Sequence, residues 1–119
     1  MQKHFSVIIP VYGDAELVER SIDSAISQDY ENKSIIICCD LVDSVKEKEL
    51  ASKYSKGISF IKSENTRLYA LSNILRALMF VPSDSIVGIL DGDDELIRSD
   101  CLSLISEEYS KGYGCVWTA

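Results

Sequence analysis

Four short apolar runs separated by helix-like segments constrain the fold of this 119-residue chain more than any other feature. The runs are rich in β-branched residues: FSVIIPV at 5–11, SIIICC at 34–39, ISFI at 58–61 and SIVGIL at 85–90. Strands that are apolar on both faces and alternate with helices are typical of a mostly parallel sheet covered on both sides. The pattern therefore predicts an α/β fold with helices on both faces of the sheet, and CVWT at 115–118 is a candidate fifth strand.

The segments between these runs carry capping signals and helical spacing. Asp14 is a candidate cap for the first helix, and Ser99 is one for the last. Ser44 and Glu47 form a capping box for the second helix. The third helix is predicted over residues 66–81. The apolar residues expected to face inward from the first, third and last helices are Val18, Ile22, Ala25, Ile26, Leu68, Leu71, Leu75, Leu78, Met79, Leu102, Ile105 and Tyr109.

The charge balance limits the ligands that the chain can bind unaided. Nineteen acidic residues against twelve basic ones give a net charge of -7, and hydrophobic residues make up 46% of the sequence. These values indicate one globular domain over residues 1–119. They argue against binding to nucleic acid or to an anionic membrane surface, which needs clustered Lys and Arg. An anionic ligand would therefore require a metal ion to bridge the charge.

The cysteines and the opening residues predict a cytoplasmic protein. The opening residues lack the features of a signal peptide, so none is expected, and no apolar stretch approaches the roughly 20 residues that span a bilayer. Cys38, Cys39, Cys101 and Cys115 have neither CxxC spacing nor His partners, so a zinc site is not expected. We expect reduced, mostly buried thiols, with Cys38 and Cys39 pointing to opposite faces of their strand.

Polar and acidic residues follow three of the predicted strands. They are PVYGD at 10–14, Asp40, and DGDDE at 91–95. Because the carboxyl ends of parallel strands meet at one edge of a sheet, we expect these residues to share a ligand site there. An Asp-x-Asp step can offer carboxylate oxygens to Mg²⁺ or Mn²⁺, and Gly92 would let phosphates approach closely. A solvated acidic turn that caps the last helix is the alternative interpretation.

The order and spacing of these motifs resemble the family 2 glycosyltransferases, which transfer a sugar from a nucleotide-sugar donor. The resemblance is carried by SVIIPVYGD at 6–14, SAISQDY at 24–30, IIICCD at 35–40, Asn73, and LDGDDEL at 90–96. It implies a Rossmann-like, nucleotide-binding domain of the GT-A fold. It also implies a saccharide or lipid-linked acceptor, as in the biosynthesis of cell-surface polysaccharides.

The resemblance assigns nucleotide contacts to two strand ends. Pro10, Val11 and Tyr12 would form the floor beneath the nucleotide base. Asp40 would accept a hydrogen bond from the base, and a uridine diphosphate sugar is favoured because uracil offers an N–H donor at the matching edge.

The resemblance assigns the diphosphate and its metal to the acidic segment. Asp91 would contact the ribose or orient the metal shell, and Gly92 lies beside it in the nucleotide site. Asp93 would bind a Mn²⁺ or Mg²⁺ ion that bridges the diphosphate, and Asp94 would assist.

The chain also departs from the family pattern. The family's Asn after the Tyr, its first paired acid, its Gly-Ser step, its Gly before the third helix and its helix Arg are replaced. The residues that stand there are Gly13, Cys39, Leu41, Val42, Arg67 and Ser72. These changes bear on the base identity and the diphosphate contacts, and they leave the Asp-x-Asp segment intact.

The family's general base and acceptor site come from sequence beyond its nucleotide-binding half, near whose end this chain stops. We therefore expect a truncated, donor-binding half that transfers no sugar alone and whose full-length form can lie against the inner face of the membrane. His4, the only histidine, is interpreted as a surface residue. If a base is present, Asp14, Asp43 and Asp100 are the first candidates. An exposed sheet edge with Trp117 predicts a homodimer.

Two other functions fit parts of the sequence. A non-catalytic nucleotide-sugar binding module would explain the short chain and the replaced family residues. A Toprim-like Mg²⁺ domain also places Asp-x-Asp after a strand. That fold needs a Glu after the first strand, where this chain has Tyr12, Gly13 and Asp14, and it predicts a basic surface.

Overall fold

The structure is a computed structural model, and it describes residues 2–13, 16–54, 56–62 and 67–116. Strands and helices alternate along these residues. The strands are β1 (Phe5–Tyr12), β2 (Lys33–Asp40), β3 (Ile58–Lys62) and β4 (Ile86–Ile89). The helices are α1 (Val18–Ile26), α2 (Ser44–Lys53), α3 (Tyr69–Leu78) and α4 (Cys101–Ser110). The predicted order of strands and helices is thereby confirmed for the described residues.

The four strands form one parallel sheet in the order β3-β2-β1-β4. The chain moves outward from β1 to β3 and then returns to place β4 on the other side of β1. In open parallel sheets, the crevice outside the strand ends at such a reversal is the usual ligand site. The register places Tyr12 opposite Asp40 at the carboxyl ends of β1 and β2, so both residues lie on the rim of this crevice.

Each face of the sheet carries its own core, as the apolar runs predict. On one face, α1, α2 and α4 cover the odd-numbered residues of β1 and β2, and Cys39 belongs to this cluster. On the other face, Ala77 of α3 packs with Ile8, Ile36 and Cys38. The two adjacent thiols therefore point to opposite faces, and burial raises the pKa of Cys38 to about 11 and of Cys39 to about 12. All four cysteines are free thiols.

The predicted inner face of the third helix is wrong. The helix is shorter than predicted, and the exposed fractions of Leu71, Leu75, Leu78 and Met79 are 70%, 57%, 41% and 82%. Asn73 and Ala77 are the buried residues instead. They lie on the opposite side of the helix, at ~100° of rotation per residue. The small Ala77 side chain lets α3 pack close to β1 and β2, and apolarity alone does not predict which of the two faces turns inward.

Two predicted helix caps are also wrong. Asp43, and not Ser44, caps α2: its Oδ1 accepts hydrogen bonds from the backbone N–H groups of Val45 (2.9 Å) and Lys46 (3.4 Å). The cap position of α4 is Asp100, which makes no side-chain cap bond. The side chain of Gln28 accepts the N–H of Leu102 in its place, at 3.1 Å.

Three other expectations meet the limits of the described residues. Asp14 lies outside them, and so does the end of the predicted fifth strand at 117–118. Cys115 and Val116 are described and form no strand. Among the helices of the described ranges, none combines the length and the apolarity needed to cross a bilayer.

Candidate functional site

A cavity of about 540 Å³ opens at the carboxyl ends of β1 and β2 and beside the segment that follows β4. It is lined by Pro10, Val11, Tyr12, Glu16, Leu17, Asp40, Arg67, Ala70, Asn73, Asp91, Gly92 and Asp93. The structure therefore brings together every residue predicted for the nucleotide, together with Asp93. Asp94 lies outside this lining, in an adjoining groove beside β4 and α4.

Three carboxylates after β4 form a compact cluster. Asp91, Asp93 and Asp94 are exposed, and each offers an oxygen so that all three lie within 4.8 Å of one another. Hard divalent cations prefer such oxygen ligands. The cluster can therefore hold one cation at the mouth of the cavity, and Asp91 belongs to it as closely as the two residues predicted for the metal.

The loop that carries these acids is fixed by its backbone. The N–H of Asp94 donates to the carbonyl of Asp91 at 3.0 Å, and the hydroxyl of Ser21 donates to the carbonyls of both residues. Arg20 donates to the carbonyl of Asp93 at 3.4 Å and lies 3.7 Å from a carboxylate oxygen of Glu95. Side chains of α1 thus hold the loop, while the three carboxylates stay exposed.

Gly92 is required by contact with β1. A Cβ atom there would lie 2.9 Å from the carbonyl oxygen of Pro10 and 3.1 Å from Cγ2 of Val11. The N–H of Gly92 donates to the same Pro10 oxygen at 3.1 Å. The close approach that the structure shows is therefore between the backbone at Gly92 and β1. The predicted close approach of phosphates to Gly92 stays a prediction.

Asp40 is almost fully buried, with 2% of its surface exposed. Its carboxylate accepts the backbone N–H of Leu68 at 3.0 Å and that of Tyr69 at 2.8 Å. These bonds tie the start of α3 to the end of β2. A contact of Asp40 with a nucleotide base stays a prediction, and the residue has a structural role in addition to its place in the cavity wall.

Arg67 is a cavity residue that the sequence did not single out for binding. Its Cζ lies 3.6 Å from the ring centroid of Tyr12 and 4.2 Å from that of Tyr69. Tyr69 has a φ of +64°, which is rare for a residue with a side chain. No sequence motif relates these three side chains, because only the fold brings the end of β1 and the start of α3 together.

Asn73 is a second lining residue with an unusual side chain. Its side-chain N–H donates to the carbonyl of Tyr69 at 3.0 Å. Its Oδ1 is buried and has no hydrogen-bond partner among the described residues. Most buried polar atoms in proteins have a partner, so this acceptor is unusual.

Of the residues considered as a possible base, Asp14 lies outside the described residues, and the others do not line the cavity. The ring nitrogens of His4 contact Asn32 Oδ1 (3.0 Å) and Ser34 Oγ (2.8 Å) near the amino end of β1, opposite to the site. Asp43 caps α2. The Arg98 guanidinium, 2.7 Å from Asp100, holds the pKa of that carboxyl below its ordinary value. Neither Asp43 nor Asp100 lines the cavity.

Two curated relatives match part of the chain. Both are named uncharacterized glycosyltransferases, one from Rickettsia felis and one from Rickettsia bellii. Each is 38% identical over 61 residues, which is 50% of this chain. The matched part makes up 10% of the first relative and 9% of the second, so this chain spans a small fraction of their length.

Solved glycosyltransferase structures share the fold. Mannosyltransferase PcManGT from Pyrobaculum calidifontis, in complex with GDP-Man and Mn²⁺, superimposes with a TM-score of 0.74 at 21% identity. The match covers 87% of this chain and 31% of that one. TarS 1-349 from S. aureus, in complex with UDP-GlcNAc, has a TM-score of 0.72 at 20% identity over 91% of this chain and 31% of that one.

These neighbours confirm the predicted GT-A fold, which is not the fold of the Toprim-like alternative. The sequence resemblance is confirmed as well, since the model of glycosyl transferase family 2 matches residues 6–119, nearly the whole chain. The chain belongs to glycosyl transferase family 2.

Proposed function

We propose that this chain is the donor-binding domain of a metal-dependent enzyme that transfers a sugar from a nucleotide diphosphate sugar to a saccharide or lipid-linked acceptor. The observation that carries the proposal is the cluster of Asp91, Asp93 and Asp94, whose oxygens lie within 4.8 Å of one another at the mouth of the cavity. The cluster lies at the reversal of strand order, where α/β sheets bind their ligands.

Charge explains why the proposal includes a metal ion. The described lining of the cavity contains four carboxylates, those of Glu16, Asp40, Asp91 and Asp93, and one cation, Arg67. A diphosphate would be repelled by this set unless a divalent cation lay between them. Mg²⁺ and Mn²⁺ bind through one or two carboxylates together with substrate phosphates, which fits an exposed cluster. The mannosyltransferase neighbour, whose complex includes Mn²⁺, is consistent with this chemistry.

The nucleotide contacts proposed for this chain are those that the family resemblance implies, and the lining of the cavity supports them. Tyr12 is half exposed at the end of β1 and can stack against a base, with Pro10 and Val11 beneath it. Asp40 would accept a hydrogen bond from the base, and Asp91 would contact the ribose or orient the metal shell. Asp93, assisted by Asp94, would hold the metal ion that offsets the charge of the diphosphate.

Uridine diphosphate is the favoured nucleotide, because a carboxylate acceptor such as Asp40 suits the N–H of uracil. Guanine also presents N–H donors, and the neighbours include complexes with both a GDP sugar and a UDP sugar. A direct competition among uridine, guanosine and thymidine diphosphates decides among the three bases.

Transfer is proposed for the whole protein and not for these 119 residues alone. Inverting transfer needs a base that deprotonates the acceptor hydroxyl, and general base catalysis contributes roughly 10²- to 10⁴-fold in rate. We expect residues 1–119 to form one domain that binds the donor weakly and transfers no sugar. The proposed homodimer through the sheet edge would appear as concentration-dependent sedimentation.

A non-catalytic nucleotide-sugar binding module is the second candidate. It is favoured by the replacement of residues of the family pattern, among them Gly13, Cys39 and Ser72. A radiolabelled-donor assay with mixed saccharide and lipid acceptors separates the two candidates. Transfer by the full-length protein supports the enzyme, and donor binding without any transfer supports the module.

Titration calorimetry tests the metal site directly. Uridine diphosphate should bind with Mn²⁺ or Mg²⁺ and should bind at least about tenfold more weakly after chelation, because the carboxylates of the cavity and the diphosphate then repel one another. Asp93→Asn should remove most of that metal effect. Glu95→Gln is the matched control, since it removes the same charge from the same loop outside the cluster. Equal affinity with and without chelator would refute the metal role.

A further inference from the structure

We propose that Arg67 is a further donor-binding residue, which rests against Tyr12 in the free protein and turns to the donor's diphosphate when a nucleotide occupies the cavity. The inference rests on the proposed function, because it takes the ligand to be a nucleoside diphosphate. It adds a residue that the sequence resemblance does not assign to binding.

The first observation is where the guanidinium lies. Its central carbon is 3.6 Å from the ring centroid of Tyr12 and 4.2 Å from that of Tyr69, so it covers a face of each ring. Tyr12 is the residue proposed to stack against the base. A base that uses the covered face must therefore displace Arg67, and binding of the base and stacking of Arg67 compete for one surface.

The second observation is that hydrogen bonds do little to hold the guanidinium there. Its Nε is buried and has no partner among the described residues. The ion pairs of the described residues join other side chains and do not include Arg67. A buried N–H without an acceptor is unfavourable, so the resting position depends on the two aromatic contacts. A ligand that offers acceptor oxygens would satisfy the donors that the protein leaves open.

The third observation is that the backbone directly after Arg67 is held in place by hydrogen bonds. Asp40 binds the N–H groups of Leu68 and Tyr69, and Tyr69 is held at a φ of +64°. Residues kept in such sparsely populated conformations cluster at ligand clamps and active sites. The anchor lets the Arg67 side chain move while its Cα stays at the cavity wall.

The diphosphate is the ligand group that Arg67 fits. A guanidinium presents paired N–H donors in a planar fork that matches phosphate oxygens. Arg67 is the only cation among the described lining residues, which otherwise carry four carboxylates.

The test compares the binding of uridine and of uridine diphosphate to the 119-residue chain in the presence of Mg²⁺, measured by NMR titration. Uridine lacks phosphates, so its binding is affected only by competition with Arg67 for the ring of Tyr12. Arg67→Ala should bind uridine about 2- to 30-fold more tightly, the range expected for removing cation–π stacking. The preference for uridine diphosphate over uridine should fall by about tenfold or more, because the charge-assisted phosphate contact is lost.

Matched controls separate this role from a general change of charge. Arg98→Ala removes the same charge from an exposed residue outside the cavity and should leave both affinities unchanged. In ¹⁵N-labelled protein, the Nε–H signal of Arg67 should be shifted by the tyrosine rings. Tyr12→Leu should reduce that shift, and uridine diphosphate should do the same in the unaltered chain.

Three results would contradict the role proposed for Arg67. Weaker uridine binding by Arg67→Ala would mean that Arg67 is a fixed part of the base platform, and the proposal would fail. An unchanged preference for the diphosphate would overturn it as well, with the proposed function intact. If the unaltered chain bound neither uridine diphosphate nor guanosine diphosphate in the presence of the metal ion, the proposed function itself would fail, and the inference with it.

Discussion

Replacing Asp40 by alanine tests whether its carboxylate stabilises the fold or serves only to bind the ligand. The side chain is 2% exposed and accepts two backbone N–H bonds, from Leu68 and Tyr69. A hydrogen bond to a charged group contributes roughly 1.5–3 kcal/mol, so the two bonds set an upper range of about 3–6 kcal/mol. Removing the carboxylate also relieves the desolvation cost of burying a charge. We therefore expect Asp40→Ala to lower the free energy of unfolding by about 3 kcal/mol.

Urea unfolding followed by circular dichroism measures this change. With a denaturant slope of roughly 1–3 kcal/mol per molar, the midpoint should fall by about 1–3 M. Asp43→Ala is the matched control, because Asp43 also caps a helix with two N–H bonds but is exposed. Loss of such a cap costs about 0.5–2 kcal/mol. If Asp40→Ala were no more destabilising than Asp43→Ala, the structural role assigned to Asp40 would be wrong.

Two further predictions concern Gly92 and the thiols. Gly92→Ala places a Cβ 2.9 Å from the Pro10 oxygen, so it should destabilise the chain by about 1–3 kcal/mol and weaken metal-dependent nucleotide binding. Gly114→Ala, with no atom within 4 Å of the new Cβ, should change neither, and equal effects in calorimetry would contradict the contact with β1. Burial raises the pKa of Cys38 to about 11 and of Cys39 to about 12, so both stay protonated and unreactive at pH 8. An Ellman assay should show a fast phase that Cys115→Ser removes, because Cys115 is exposed, and fast modification of Cys38 or Cys39 would disprove their burial.

The sheet could be predicted because its two central strands, β1 and β2, are buried on both faces. Runs such as SIIICC indicate buried strands, since a half-exposed strand would alternate with polar residues. The site followed from the same prediction, because parallel strands bring their carboxyl ends together. Tyr12 and Asp40 thereby become neighbours, although they are distant in the sequence.

The orientation of α3 could not be predicted from apolar spacing. The stripe of Leu71, Leu75 and Leu78 has the helical period, yet the structure turns it outward. The buried side carries Asn73, whose amide binds the carbonyl of Tyr69, and the small residue Ala77. Distances between helix and sheet decide which face fits, and a hydrophobic pattern contains no information about those distances.

Arg67 could not be recognised as a site residue for a related reason. In the sequence it replaces a glycine of the family pattern, which suggests a lost feature and not a new one. Its significance depends on two tyrosines that are brought together only by the packing of α3 on β1. Contacts of this kind depend on tertiary structure, and no spacing rule along the chain reports them.

If Asp40 contacts the base as proposed, its anchoring of α3 limits how nucleotide preference can evolve in this protein. A substitution at position 40 that suited another base would also release the first turn of the helix, so folding would select against it before binding could select for it. Arg67 and Tyr12 do not combine a role in binding with a role in folding, because their side chains do not hold the backbone of another element in the described structure. Divergence in donor choice among descendants of this chain should therefore accumulate at positions 12 and 67, while position 40 remains an acid.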